Sequence, residues 1–590
     1  ADNLNRQTDA CNVCKTCCLD MSIYLDPQTA CDSCVEWNCE FNGPKWTEPA
    51  FAKPKIHYAP ACLMEGGWHD IAAAATHKGL HHIFFGCSAV MGGWHHAVSD
   101  DFVHFTELKG APRQMQETYK GMESFDTPCS GFITLDDNGA PCAGFRQCGS
   151  SKSVTGFDKD AHGNPVGWNV PMEVRCATDD KLTEWGEPDY LFNVSYYRSV
   201  PYDPARPWKD KDGNWYMLIS IDACNATTQE LPCEQGGALM LYMSEGSLHG
   251  PHADWQQLGI VYETEKTVLP NTELVKEMVT IDFVGGLKGD PYGGKTRVFF
   301  NNVGGNGGGN GCCSGTTSYT VVHQEEPGAK FDVNTTANFQ GVGMVDWGAF
   351  PIIAANTAKG CFGRSCLGAT QQKVYSMART LGSENPNQVL HPGRRVMYAW
   401  MKDNPNAIIS LGRELGLDEN LTLTQEFVPE LQTLRIKSSH VSLPSAESAL
   451  PGMQAEVYAE FTNLTKAQKR GFYRFGIKVL QCGEGEYTRV GVDLNLGLAV
   501  VDGRLQGRKY RAGGPLVFGD ASELETMDKI TIHVYVDGGM VEAIFNNRTA
   551  IASPATPSSV SCGGVTLYGL DDWNNPIKAK ADVWALEGAN

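Results

Sequence analysis

Between about residue 55 and residue 435 the chain is written in short strand-like stretches cut by turn signals at close spacing, and long amphipathic helical stretches are scarce. His81-His82-Ile83-Phe84-Phe85, Trp215-Tyr216-Met217-Leu218-Ile219 and Arg297-Val298-Phe299-Phe300 are such strands. Asp137-Asn138-Gly139 and Lys211-Asp212-Gly213 read as hairpin turns. A long all-β stretch of this kind must hide its sheet edges, and a propeller is the natural closed form at this length. From about 440 onward the alternation is cleaner. Ile530-Thr531-Ile532-His533-Val534-Tyr535-Val536 has period two, and Asp537-Gly538-Gly539 turns it into Val541-Glu542-Ala543-Ile544-Phe545. That pattern predicts a β-sandwich. Cys482 and Cys562 are the only cysteines of this part and are expected to pair.

The first 44 residues differ from the rest. They hold Cys11, Cys14, Cys17, Cys18, Cys31, Cys34 and Cys39, with too few apolar residues for a core. The two Cys-x-x-Cys pairs, Cys11/Cys14 and Cys31/Cys34, have a spacing that fits zinc; a small disulfide knot is the alternative. In either case the segment reads as an appendage for stability or assembly. The expected division is therefore 1–44, 45–435 and 436–590. The net charge of -20, from 48 basic and 68 acidic residues, argues against nucleic acid and anionic membranes as partners. No apolar run has the length of a membrane span. The 21 cysteines, together with sequons at Asn193, Asn225, Asn334, Asn420, Asn463 and Asn547, favour a secreted, glycosylated protein, extracellular or vacuolar. The first residue is Ala1 rather than Met, which fits removal of a leader.

Two aspartates stand out in this frame. Asp70 lies in Trp68-His69-Asp70-Ile71-Ala72-Ala73-Ala74 and Asp203 in Tyr202-Asp203-Pro204, each beside a short apolar stretch. Glycoside hydrolysis needs two carboxylates flanking the scissile bond, and a third often orients the sugar. The plain alternative for both is a turn or capping role.

A series of motifs resembles glycoside hydrolase family 32, the invertases, fructan hydrolases and fructosyltransferases. Gly66 to Gly79, running into His82-Ile83-Phe84-Phe85, is similar to the family's W-M-N-D-P-N-G segment and the strand after it. Trp94 to Phe105 resembles W-G-H-A-V-S-x-D-L-x-x-W, and Ser130-Gly131 resembles an S-G-S turn. Asp203-Pro204 through Ile219 aligns with the R-D-P stretch. Asp346-Trp347-Gly348 resembles D-Y-G, Gly393 to Met401 resembles G-R-R-x-x-x-x-W, and Val536 to Asn546 resembles V-D-x-S-x-V-E-V-F-V-N. The resemblance implies an all-β fold, a five-bladed β-propeller followed by a C-terminal β-sandwich, with the active site in the propeller's central funnel. It implies a retaining hydrolase of β-fructofuranosides such as sucrose or fructans. Asp70 is then the nucleophile, Asp203 the stabiliser of the transition state and Glu277 the acid/base, with Glu273 the second choice for that role. A non-catalytic carbohydrate-binding or structural glycoprotein on the same scaffold is the alternative.

Departures from the motifs mark the site. His69 stands for the family's Asn, Ile71-Ala72-Ala73 for Pro-Asn-Gly, and Tyr202 for the Arg of R-D-P. Tyr cannot copy the forked donors of Arg. Trp68, His69, Trp94, Ser130 and Tyr202 are the expected sugar contacts, and Trp208 is a further stacking aromatic; core packing is the other reading of each tryptophan. Neither a cofactor nor a metal is expected, because neighbouring residues of a strand, as in His81-His82 and His95-His96, face opposite ways and do not chelate as pairs. The Gly-rich run at 304–315 lacks the Lys and following helix of a phosphate cradle and reads as a loop.

Overall fold

The computed structural model describes residues 54–60, 71–86, 94–111, 128–147, 158–159, 165–196, 201–222, 237–263, most of 277–304, 316–323, 339–346, 376–381, 394–401, 408–443 and most of 448–589. The Cys-rich leader, Trp68, His69, Asp70, Glu273, the Gly-rich loop beyond Gly304, and the sequons Asn225 and Asn334 lie outside these residues.

Seven antiparallel sheets carry the described chain. Five follow one another in sequence, and each begins with a strand that touches the corresponding strand of the neighbouring sheets. We label these inner strands β1 (Ile71–His77), β2 (Pro128–Leu135), β3 (Pro201–Pro204), β4 (Glu277–Gly285) and β5 (Ser376–Leu381). β1 meets β2, β2 meets β3, β3 meets β4, β4 meets β5, and β5 returns to β1. The contacts close a ring, and the five sheets form a five-bladed propeller.

The strand signals in the sequence translate directly. Leu80–Gly86, Trp215–Asp222 and Thr296–Gly304 are second strands of their sheets. The turn at Asp137-Asn138-Gly139 joins β2 to Pro141–Gln147, and Gly139 takes the left-handed φ of 81° that the turn demands. The turn at 211–213 joins Trp208–Lys209 to Trp215–Asp222, again with a left-handed glycine, Gly213.

The last two sheets, of six strands each, pack face to face around one apolar core that includes Val457, Phe461, Phe475, Ile477, Val490, Ile532, Val534 and Val583. The Lys529–Asp537 and Met540–Phe545 hairpin lies in the first of them. Cys482 and Cys562 form a disulfide, as their isolation in this part of the sequence predicts.

Propeller and sandwich share buried surface. Ile56, Tyr58, Ile71, Phe427, Leu431, Tyr535, Ile544 and Leu586 belong to one apolar cluster. A chain of buried charges runs through the same junction. The backbone N–H groups of Lys55, Ile56 and His57 donate to Asp537. His57 Nδ1 lies 2.7 Å from Asp537 and its Nε2 2.9 Å from Glu542. Arg413 pairs with the other oxygen of Glu542 at 2.5 Å and with Asp346 at 2.8 Å. Asp346, from the D-Y-G-like motif, also accepts from the Ala552 N–H of the sandwich, so this acid serves the junction.

Candidate active site around the inner strands

The funnel of a propeller is lined by its inner strands, and these carry two of the carboxylates read from the sequence, Asp203 and Glu277. Asp203 is the third residue of β3 and only 7% exposed. Pro204, which has no N–H to give a ladder, pairs with Ile219 at the end of β3, and the Ala205 N–H then donates to Leu218. Trp215, Tyr216, Met217, Leu218 and Ile219 are fully buried, so Asp203 stands on a rigid floor. Glu277 is the first residue of β4, opposite Gly304, and β3 and β4 are neighbours in the ring. β4 carries a register shift between Thr280 and Asp282. Tyr202 precedes Asp203 on β3. Asp70 precedes Ile71, the first residue of β1, in sequence; with Trp68, His69 and Glu273 it lies outside the described residues.

Ser130 is on β2 and 8% exposed. Trp94 is 1% exposed, with its ring 5.9 Å from Phe84 and 5.3 Å from Phe145. The core-packing reading of Trp94 therefore describes its surroundings, and no open ring face is left for a sugar. Trp208 is likewise internal, stacked on Tyr216 at 5.7 Å with the Arg297 guanidinium 4.8 Å from its ring.

His82 and His96 are hydrogen-bond partners of each other. His82 Nδ1 lies 2.8 Å from His96 Nε2, and His96 Nδ1 lies 3.1 Å from the Gly110 carbonyl. Burial pushes His82 down to about 3 and His96 to about 4, so both rings are neutral above mildly acidic pH. Among the described residues this pair is a strut of the first sheet.

One residue at the ring was not singled out from the sequence. Arg206, three residues after Asp203, is 8% exposed, and its Nη2 donates to the Ala74 carbonyl of β1 at 2.8 Å. β1 and β3 are not adjacent, since β2 lies between them. The guanidinium thus reaches between two blades that the ladder does not join. β1 admits this because Ala72, Ala73, Ala74 and Ala75 are all small and buried. The available signal was a cation in an apolar stretch beside a run of alanines that pairing alone does not require.

Residues 430–584 match the family model "Glycosyl hydrolases family 32 C terminal". The chain is 28% identical over 207 residues to "Beta-fructofuranosidase, insoluble isoenzyme CWINV6" of Arabidopsis thaliana, a match spanning 33% of this chain and 32% of that one. Its fold is similar to fructan 1-exohydrolase IIa from Cichorium intybus, with a TM-score of 0.60 at 16% identity over 92% of this chain and 99% of the other. It is similar also to exo-inulinase from Aspergillus awamori, with a TM-score of 0.61 at 16% identity over 92% and 100%. At such identities the structural likeness is one of fold.

Proposed function

With residues 430–584 matching the C-terminal model of glycoside hydrolase family 32, we propose that the chain is a member of that family and a secreted retaining hydrolase of β-fructofuranosides, sucrose or fructans, with Asp70, Asp203 and Glu277 as its working carboxylates. The observation that carries the reading is the seating of acids on the ring: Asp203 on β3, Glu277 at the opening of the adjacent β4, and Asp70 next in sequence to β1. In this mechanism Asp70 attacks the anomeric carbon of the fructosyl unit while Glu277 gives its proton to the departing oxygen. A covalent fructosyl-enzyme forms and the rest of the sugar leaves. Glu277, now a carboxylate, takes a proton from water, and the water displaces Asp70 with net retention. Asp203, held nearly dry, steadies positive charge on the ring by accepting from sugar hydroxyls. The retaining route needs the Asp70 and Glu277 carboxyl groups about 5 to 5.5 Å apart. The division into 1–44, 45–435 and 436–590 belongs to the same reading. So do N-glycans, for which Asn420 and Asn547 are exposed and Asn463 partly exposed.

A second reading, binding without turnover, is favoured by one feature. Ile71, Ala72 and Ala73, which stand where the resemblance calls for Pro-Asn-Gly, are at most 2% exposed and so give the funnel no polar group from their side chains. One experiment separates the two: reducing-sugar release from sucrose, inulin and levan by the purified protein, with Asp70→Asn as control. Release that vanishes in a folded Asp70→Asn variant is the expected result. An equally active variant removes Asp70 from the mechanism, and saturable sugar binding with no release from any of the three substrates selects the second reading.

A further inference from the structure

Four ligand-type side chains outside the funnel converge at the seam between the second and third blades. Cys142, on Pro141–Gln147, and Cys176, at the end of Pro165–Cys176, are direct cross-strand partners and form a disulfide. Asp136 caps the turn after β2, its Oδ1 accepting from the Asn138 and Ala140 N–H groups. His249 comes from the connection between Gly237–Ser244 and Trp255–Glu263 of the third sheet. Its Nε2 lies 3.2 Å from Cys176 Sγ, 3.8 Å from Cys142 Sγ and 3.3 Å from Asp136 Oδ2. The four ligand atoms all lie within 4.8 Å of one another.

These separations have a recognisable scale. Zinc bonds of about 2.0 to 2.3 Å to nitrogen, oxygen and sulfur make a tetrahedron with edges of roughly 3.3 to 3.8 Å. The three edges that meet at His249 already have such lengths. The sulfur–sulfur edge is shorter, because those two atoms are bonded to each other.

The other side of the imidazole is also arranged. His249 Nδ1 lies 3.5 Å from Asp189 Oδ2, so a second carboxylate faces the ring nitrogen that points away from the cluster. Asp189 additionally accepts from the Gly250 N–H at 2.5 Å, and Asp137 accepts from the Leu248 N–H at 3.0 Å, so the loop is held on both sides of His249. The imidazole is 28% exposed, which leaves an entry path. A disulfide by itself explains the two cysteines. It does not require a histidine nitrogen and a carboxylate aimed at the same point.

We infer that the dithiol form of this chain binds one Zn2+ between Cys142, Cys176, His249 and Asp136. A dithiol reductant opens the Cys142–Cys176 bond, giving two thiols and the reductant's own disulfide. Zn2+ then displaces the two thiol protons, and the His249 imidazole and the Asp136 carboxylate complete a four-coordinate site of net charge -1. The disulfide staples the second blade to itself, whereas the zinc form staples the second blade to the third through His249. The inference is independent of the hydrolase reading.

The test uses the full chain, reduced with dithiothreitol, desalted without air and pulsed with N-ethylmaleimide in the presence or absence of Zn2+. Peptide mass spectrometry then follows Cys142 and Cys176 separately from the other cysteines. Zn2+ is expected to slow labelling of both at least tenfold, and His249→Ala to remove that protection. Equal labelling with and without Zn2+ overturns the inference. So does protection that survives in His249→Ala, or a Cys142–Cys176 bond that the reductant does not open while the protein stays folded. Equal labelling in the unmutated chain overturns the inference even if the variant fails to fold.

Discussion

A carboxylate at the start of an inner strand depends for any role on its neighbours, and Glu277 is the residue at which this can be tested. It opens β4, opposite Gly304 and ahead of a bulge. If Glu277 is the acid/base, Glu277→Gln lowers kcat on the order of 10^2 to 10^4-fold. It also flattens the alkaline limb of the kcat/KM profile, because that limb reports loss of the acid's proton, while Glu273→Gln leaves both features in place. The reverse pattern would move the role to Glu273. The tryptophans mark the limit of sequence at this scale. A stacking platform and a core residue have the same chemistry, and only the rings of Phe84 and Phe145 around Trp94 show which surroundings it has.

At the level of elements, strand and turn were largely legible because they are local properties. Period-two alternation, Asp-Asn-Gly at 137–139 and Asp-Gly-Gly at 537–539 describe the next few residues and nothing further. What binds one blade to another is not written that way. Arg206 joins the segment after β3 to β1, 132 positions away in sequence. A charged donor on a buried carbonyl contributes about 1.5 to 3 kcal/mol. Arg206→Leu should therefore lower the melting temperature in calorimetry. Arg206→Lys should recover only part of the loss, since a single ammonium does not replace the planar fork. A variant as stable as the parent would show that the blades need no such tie.

The whole molecule depends on the junction between propeller and sandwich, where charge has been taken out of water. Burial alone would lower the pKa of His57, but its hydrogen bonds to Asp537 and Glu542 outweigh that and hold it up at about 9. For Glu542, burial acts to raise the pKa, and Arg413 and His57 together bring it down to about 2. Because His57 is raised above its ordinary value of 6.5, its stabilisation is complete below that pH and is lost as pH rises through about 9. Glu542 contributes above its ordinary value of 4.5, and its share is lost as pH falls toward about 2. The junction is thus most stable between those two ordinary values, and the melting temperature should decline on either side. His57→Gln leaves Asp537 buried without its cation and Glu542 with Arg413 alone. It should cost about 3 to 5 kcal/mol and remove most of the decline above pH 6.5. A pH–melting profile unchanged by the substitution would contradict this account. The sequence alone determined the all-β class, the two kinds of sheet architecture, the pairing of Cys482 with Cys562 and the motifs that carry the family, because each follows from local periodicity, composition or spacing. The tertiary structure alone decided which strands of the five blades meet at the ring, that Trp94 and Trp208 are internal, that Arg206 ties two non-adjacent blades, and that His57, Asp346 and Arg413 serve the junction. Those outcomes depend on groups far apart in the chain competing for the same buried space and the same hydrogen bonds, a competition that no local pattern records.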